Sequence, residues 1–86
     1  MSFFLNHVAP GRGVDEHRHP CAEVLVVQGG EVIVSVDGIP VTARSGQVLV
    51  VPAGAKHSTR NSSARTLETI SVHPAAEMVT EWSGPS

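Results

Sequence analysis

Apolar residues in this chain fall in short runs, and each run is cut by residues that turn the backbone. Residues 23–28 (Glu-Val-Leu-Val-Val-Gln) end at Gly29-Gly30, residues 31–36 end at Asp37-Gly38, and residues 39–44 end at Ser45-Gly46. Residues 47–51 stop at Pro52-Ala53-Gly54, where proline has no N–H to give to a ladder. Valine recurs throughout and no apolar stripe follows a helical period, so the runs read as strands. Asp37-Gly38 is a strong two-residue hairpin signal. The Gly29-Gly30 turn is read as bringing residues 31–36 back beside residues 23–28. Residues 57–61, 66–73 and 76–82 complete the set, with Asn61-Ser62-Ser63-Ala64 as a loop. Short strands at intervals of about 8–12 residues predict an all-β fold, a sandwich or small antiparallel β-barrel, with no βαβ unit.

Two details of the pattern bear on surfaces. Residues 24–27 and 48–51 are apolar at successive positions, so both faces of those strands are apolar. An antiparallel strand of that kind needs a cover on its outer side, and a second copy of the chain is the simplest one. A homodimer is therefore expected. In residues 66–73 one alternating set is Leu67, Thr69, Ser71 and His73, the other Glu68, Ile70 and Val72. The second set is the more apolar, which would leave His73 outside; Thr69 and Ser71 could equally line a polar pocket.

With 86 residues, the chain is read as one small domain, residues 1–86, near the lower limit for an independent core. Aromatic residues are few (Phe3, Phe4, Trp82) and tyrosine is absent, so branched aliphatics must fill the interior. The net charge of −2 is spread without blocks, which gives no reason to expect nucleic acid or an acidic membrane as partner. A single cysteine, Cys21, excludes an intrachain disulfide, and its expected role is that of a small buried hydrophobe. No apolar run approaches the roughly 20 residues of a membrane span, and the N-terminal residues do not form a leader pattern, so a cytoplasmic location is expected.

The candidate chemistry lies in His17, His19, Glu23 and His57. They belong to two spaced patterns, Gly11, His17, His19, Glu23, Gly30 over residues 11–30, and Gly46, Pro52, Gly54, His57, Asn61 over residues 46–61. Ten such positions, each at a background of roughly 5 %, would coincide by chance about once in 10^13 placements. Strand geometry puts His17 and His19 on one face. Pro20 interrupts the strand, Glu23 opens the next, and His57 must come from a distant strand aimed by the Gly46 and Pro52-Gly54 turns. Three imidazoles and a carboxylate form a mixed N/O set for one divalent transition metal ion (Zn, Fe, Mn, Ni or Cu), with a position left for a small ligand. His7 and His73, taken singly, are given no ligand role. Arg44 and Arg60 are read as solvated, and Arg60 should face away from the site.

Both patterns resemble the two sequence motifs of the cupin superfamily, a small antiparallel β-barrel, at every specified position. The resemblance implies that His17, His19, Glu23 and His57 are metal ligands at the barrel mouth and that Gly11, Gly30, Gly46, Pro52, Gly54 and Asn61 shape the turns around them. Cupins with this ligand set include dioxygenases, isomerases, lyases, decarboxylases, sugar-binding regulators and storage proteins. The absence of tyrosine disfavours mechanisms with a tyrosine base, and the presence of Glu23 disfavours the thiol dioxygenases. The leading expectation is a metal-dependent enzyme of dioxygenase type, using Fe or Mn on a small oxygenated molecule. The alternatives are a non-enzymatic metal or small-ligand binding module and a metal-dependent isomerase, for which His73, His7 and Glu68 are the candidate acid/base groups.

Overall fold

A computed structural model describes residues 1–74 and 81–82. Nine strands run in chain order: β1 (Ser2–Val8), β2 (Gly13–Arg18), β3 (Glu23–Gly29), β4 (Glu31–Val36), β5 (Ile39–Arg44), β6 (Val48–Val51), β7 (His57–Asn61), β8 (Leu67–His73) and β9 (Glu81–Trp82). All their pairings are antiparallel. They form two sheets, β1-β8-β3-β6 and β5-β4-β7-β2-β9. The strands expected at residues 23–28, 31–36, 39–44, 47–51, 57–61 and 66–73 are all present, within a residue at either end. The strand expected at 76–82 falls mostly outside the described residues; its last two pair with β2.

Two expectations are corrected. The Gly29-Gly30 turn does not make a hairpin: β3 pairs with β8 and β6, whereas β4 pairs with β5 and β7. The chain crosses between sheets there, with Gly30 at φ +84° and the position of a Cβ only 3.1 Å from the Thr66 carbonyl oxygen. A left-handed φ in so close an approach is available to glycine at little cost. By contrast Asp37 and Gly38 both have positive φ, 49° and 82°, and join β4 to β5 as the expected two-residue turn.

The second correction concerns β8. Leu67, Thr69, Ser71 and His73 are buried, and Glu68, Ile70 and Val72 lie on the outer side. β1, which the sequence did not reveal, shares this inversion: Phe3 and Leu5 are exposed while Asn6 is half-buried opposite Thr69. The reason is the interior itself, which is polar at one end and therefore demands polar inward positions.

The core sits between the sheets. Leu25, Val27, Val51 and Leu67 from one sheet meet Val32, Val34 and Ala43 from the other, with Ala55 from the β6–β7 loop. Each such burial contributes about 1.5–3 kcal/mol for the larger side chains. Buried Asn61 closes the far end: its side-chain amide donates to the Val8 and Arg65 carbonyls at 2.9 and 2.7 Å, and its Oδ1 accepts from the Ser63 amide.

The outer face of the first sheet is apolar in two complete rows across its four strands. Register aligns Phe3, Val72, Val24 and Val50 in one row, and Leu5, Ile70, Val26 and Val48 in the next. Phe3, Leu5, Val48 and Val50 are each more than half exposed.

β2 holds a glycine whose role the sequence patterns did not mark. A Cβ on Gly13 would fall on the Thr59 carbonyl and 2.8 Å from Arg60 Cα, so β2 could not keep its pairing with β7. Gly13→Ala is expected to cost about 2 kcal/mol or more. Gly38→Ala, which has open space but a left-handed φ, should cost about 1 kcal/mol. Urea denaturation of the two variants checks this order, and equal midpoints would refute it.

Candidate metal centre

Register alone brings His17 to His57. Between Val14, opposite Thr59, and His17, opposite His57, β2 uses three steps where β7 uses two. The extra residue is a β-bulge, and it turns His17 to the same inward face as Val14. The bulge also supplies an anchor, because His17 Nδ1 lies 2.7 Å from the Asp15 carbonyl oxygen. His57, at the start of β7, has the same device: its Nδ1 lies 3.1 Å from the Ala55 carbonyl oxygen. A ring whose Nδ1–H donates to a carbonyl presents Nε2 as the free donor.

His19 follows the end of β2, and its carbonyl accepts from the Gly54 amide at 2.8 Å, which fastens the Pro52-Gly54 turn to the site. Glu23 opens β3 opposite Val51. His17, His19, Glu23 and His57 are all buried, and one donor atom from each lies within 4.8 Å of all the others. Ring centroids of His17 stand 4.9 Å from His19 and 4.2 Å from His57. The structure thus places all four sequence-predicted residues in one cluster.

His73 joins them as a fifth member, and of the two facings open for residues 66–73 the structure has the one in which Thr69 and Ser71 line a polar pocket. His73, at the end of β8, is 2 % exposed and faces the cluster, its Nε2 3.7 Å from Glu23 Oε1. It packs edge-on to Phe4 and His19. The signal that would have found it is the polar alternation Thr69, Ser71, His73, which points inward once the interior is known to be polar. Cys21 is half-buried and does not line the cavity. Arg44 is exposed and paired with Glu31 at 2.9 Å, and exposed Arg60 points to the Gly11 carbonyl. His7 and Glu68 form an exposed pair on the outer face, 3.6 Å apart, away from the site.

Electrostatics follow from crowding. Burial raises the Glu23 carboxyl, but contact with His57 and the charges of His73, His57 and His19 outweigh it and hold it below its ordinary value. Burial, with the neighbouring His57 and His19, lowers His17 against the pull of the Asp15 carbonyl. Burial, with the neighbouring His19 and His57, lowers His73 against the pull of Glu23. For His57 burial acts downward too, yet Glu23 and the Ala55 carbonyl prevail and raise it.

A metal ion fits these residues. His57 Nε2 and His73 Nδ1 are buried without a hydrogen-bond partner, and Glu23 Oε1 stands 3.3 Å from His57 Nε2. An orphaned buried nitrogen is costly unless something else occupies it. Three nitrogens and a carboxylate oxygen suit a borderline divalent ion.

The cluster forms one wall of a cavity of about 210 Å³. Val8, Leu25, Val32 and Leu67 give it an apolar floor, Asn6, Thr69 and Ser71 a polar side, and the partly exposed Phe4, Val14 and Trp82 a rim. No helix among the described residues is long and apolar enough to cross a membrane.

Comparison with known proteins agrees with this arrangement. The cupin domain family matches residues 4–73, and the chain belongs to it. It is 39 % identical over 56 residues to protein SchB of Streptomyces halstedii, covering 64 % of this chain and 41 % of SchB. It is 38 % identical over 59 residues to the dimethylsulfoniopropionate lyase DddW of Ruegeria pomeroyi, covering 69 % of this chain and 39 % of DddW. The chain therefore spans about two fifths of the length of these relatives. Among solved structures, a salicylate 1,2-dioxygenase variant from Pseudoaminobacter salicylatoxidans superposes with a TM-score of 0.75 at 27 % identity, covering 80 % of this chain and 21 % of that one.

A metal ligand must be deprotonated, and His57 is the imidazole whose proton is held above its ordinary value. Binding of Co²⁺ near pH 6.5 should release a proton. Apparent affinity should climb with pH until the raised His57 value is passed, then level off. Calorimetry in buffers of different ionisation enthalpy reads the proton count directly; no release at pH 6.5 would contradict the assignment.

Proposed function

Taking the chain as a cupin, we propose that His17, His19, Glu23 and His57 hold one divalent transition metal ion and that the protein is a metal-dependent enzyme acting on a small oxygenated molecule, most simply by dioxygenase-type chemistry. The observation that carries the proposal is the juxtaposition of a converging donor set with a cavity floored by apolar side chains. A purely structural site has its donors closed around the ion, whereas here a small ligand has room beside them. When bound, the metal supplies Lewis-acid polarisation and, if it is Fe or Mn, electron transfer.

The chain's own residues do the rest. Backbone carbonyls of Asp15 and Ala55 fix the rings of His17 and His57, so the donor atoms are held in place before a ligand arrives. Val8, Leu25, Val32 and Leu67 exclude water from the inner side of the ligand. His73, buried beside Glu23, is the remaining titratable group on the cavity wall among the described residues. The likeness to salicylate 1,2-dioxygenase supports the oxygenase reading, and the likeness to DddW makes a lyase the reading to test against it.

Elemental analysis of protein prepared without an affinity tag should find about one transition metal per chain. His17→Ala and Glu23→Gln should lower metal affinity by roughly 10–100-fold or more. With Fe or Mn loaded, enolic and phenolic substrates should support O₂ uptake. Turnover without O₂ consumption would replace the oxygenase by a lyase or isomerase, and failure to retain any metal would sink the proposal.

We further propose a cytoplasmic homodimer in which a second copy covers the apolar rows of β1, β8, β3 and β6. Uncovered apolar patches of this extent are unusual on a monomer. Sedimentation should give roughly twice the 9.0 kDa chain mass. Leu5→Lys combined with Val50→Lys should yield monomer, and a wild-type monomer at micromolar concentration would refute the dimer.

A further inference from the structure

The same cavity carries information about ligand charge. The chain has six cationic side chains of fixed charge, Arg12, Arg18, Arg44, Lys56, Arg60 and Arg65, and all are exposed and none lines the cavity. The undescribed residues, 75–80 and 83–86, include no lysine or arginine. Glu23 is the single carboxylate on the wall among the described residues. A divalent ion and one carboxylate sum to one positive charge. A singly charged chelating ligand brings that sum to zero, whereas a dianion leaves a negative charge with no fixed countercharge among the described residues of a largely apolar lining, which is strongly unfavourable.

On the first sheet, β1 and β8 give the cavity a polar side that is organised for a neutral oxygen. Asn6 Nδ2 donates to Thr69 Oγ1 at 3.2 Å and to Ser71 Oγ at 3.1 Å. A hydroxyl that accepts from an amide keeps its own O–H to donate. Thr69 and Ser71, both buried and on the inward side of β8, therefore offer two O–H donors to the cavity.

Resting on the metal-site reading above, we infer that Asn6, Thr69 and Ser71 form the ligand-recognition wall, and that they select a singly charged chelator bearing a further carbonyl or hydroxyl oxygen over a dicarboxylate. Asn6 is the organising residue: by donating to both hydroxyls it turns their protons toward the ligand. The charge of the metal set determines the ligand's charge, and the hydroxyl pair determines its polar end.

The test uses the full chain loaded with Co²⁺, whose visible bands report both metal binding and entry of a ligand. Acetohydroxamate, a singly charged chelator, should perturb the bands at concentrations at least roughly 10-fold below those of oxalate, a dianion, after correction for each ligand's affinity for free Co²⁺. Thr69→Val with Ser71→Ala removes both O–H donors and should weaken acetohydroxamate by roughly 10-fold while Co²⁺ affinity and thermal midpoint stay as in wild type. Asn6→Lys places a cation on the wall and should raise oxalate affinity by roughly 10-fold or more. Oxalate binding as well as acetohydroxamate in the wild type, or unchanged binding in both variants, would overturn the inference while leaving the metal site standing. Absence of Co²⁺ bands in the wild type would remove the metal site, and the inference with it.

Discussion

One buried carboxylate surrounded by imidazoles organises this molecule. Glu23 Oε1 has Nε2 atoms of His57, His19 and His73 at 3.3, 3.5 and 3.7 Å, all in an interior where a lone charge would be very costly. Such a cluster is tolerable only if each ring is oriented and the charges compensate. The backbone of β2 bulges to supply a carbonyl for His17, the approach to β7 supplies one for His57, and the Pro52-Gly54 turn is hydrogen-bonded to His19. Of the two register shifts in the described strand pairings, that between Val14 and His17 lies at this cluster, and that between Val27 and Gly29 lies at the other end of β3 from Glu23.

Polarity in the interior explains what the sequence disclosed and what it hid. The turns, the valine runs and the two spaced patterns identified seven of the nine strands and all four members of the central cluster, because glycine, proline and the Asp37-Gly38 pair act locally. β1 and the facing of β8 stayed hidden for the opposite reason. Alternation is read by assuming that apolar means inside, and here Asn6, Thr69, Ser71 and His73 point inward while Phe3, Leu5, Ile70 and Val72 point outward. The sheet crossing at Gly30 was equally hidden, since a glycine pair signals a turn but not which strand receives it. Gly13 required knowledge of the strand beside it.

Apolar outer rows and a polar inner wall on one sheet are two results of the same inversion. A strand has only two faces, so residues given to the cavity leave the opposite face to hold the apolar side chains that would ordinarily form a core. The eight-residue core between the sheets is correspondingly small, and three of its members, Leu25, Val32 and Leu67, also line the cavity beside the histidines. In this fold the space for a ligand and the sticky exterior are linked by strand geometry.

The order of pairing carries a consequence for how the protein is made. β1 pairs with β8, β2 with β7, and β3 with β8 and β6, so the described sheets join early segments to late ones, with β4–β5 the one pairing between sequence neighbours. Closing such long loops before any contact repays them makes folding slow, and on a ribosome it must wait until residues near His73 have emerged. His17 and His19 are synthesised long before the strand that opposes them. Until then they belong to a flexible, exposed peptide with no selectivity of its own, and the geometry that can discriminate among ions arises only when the final strands close the sheets.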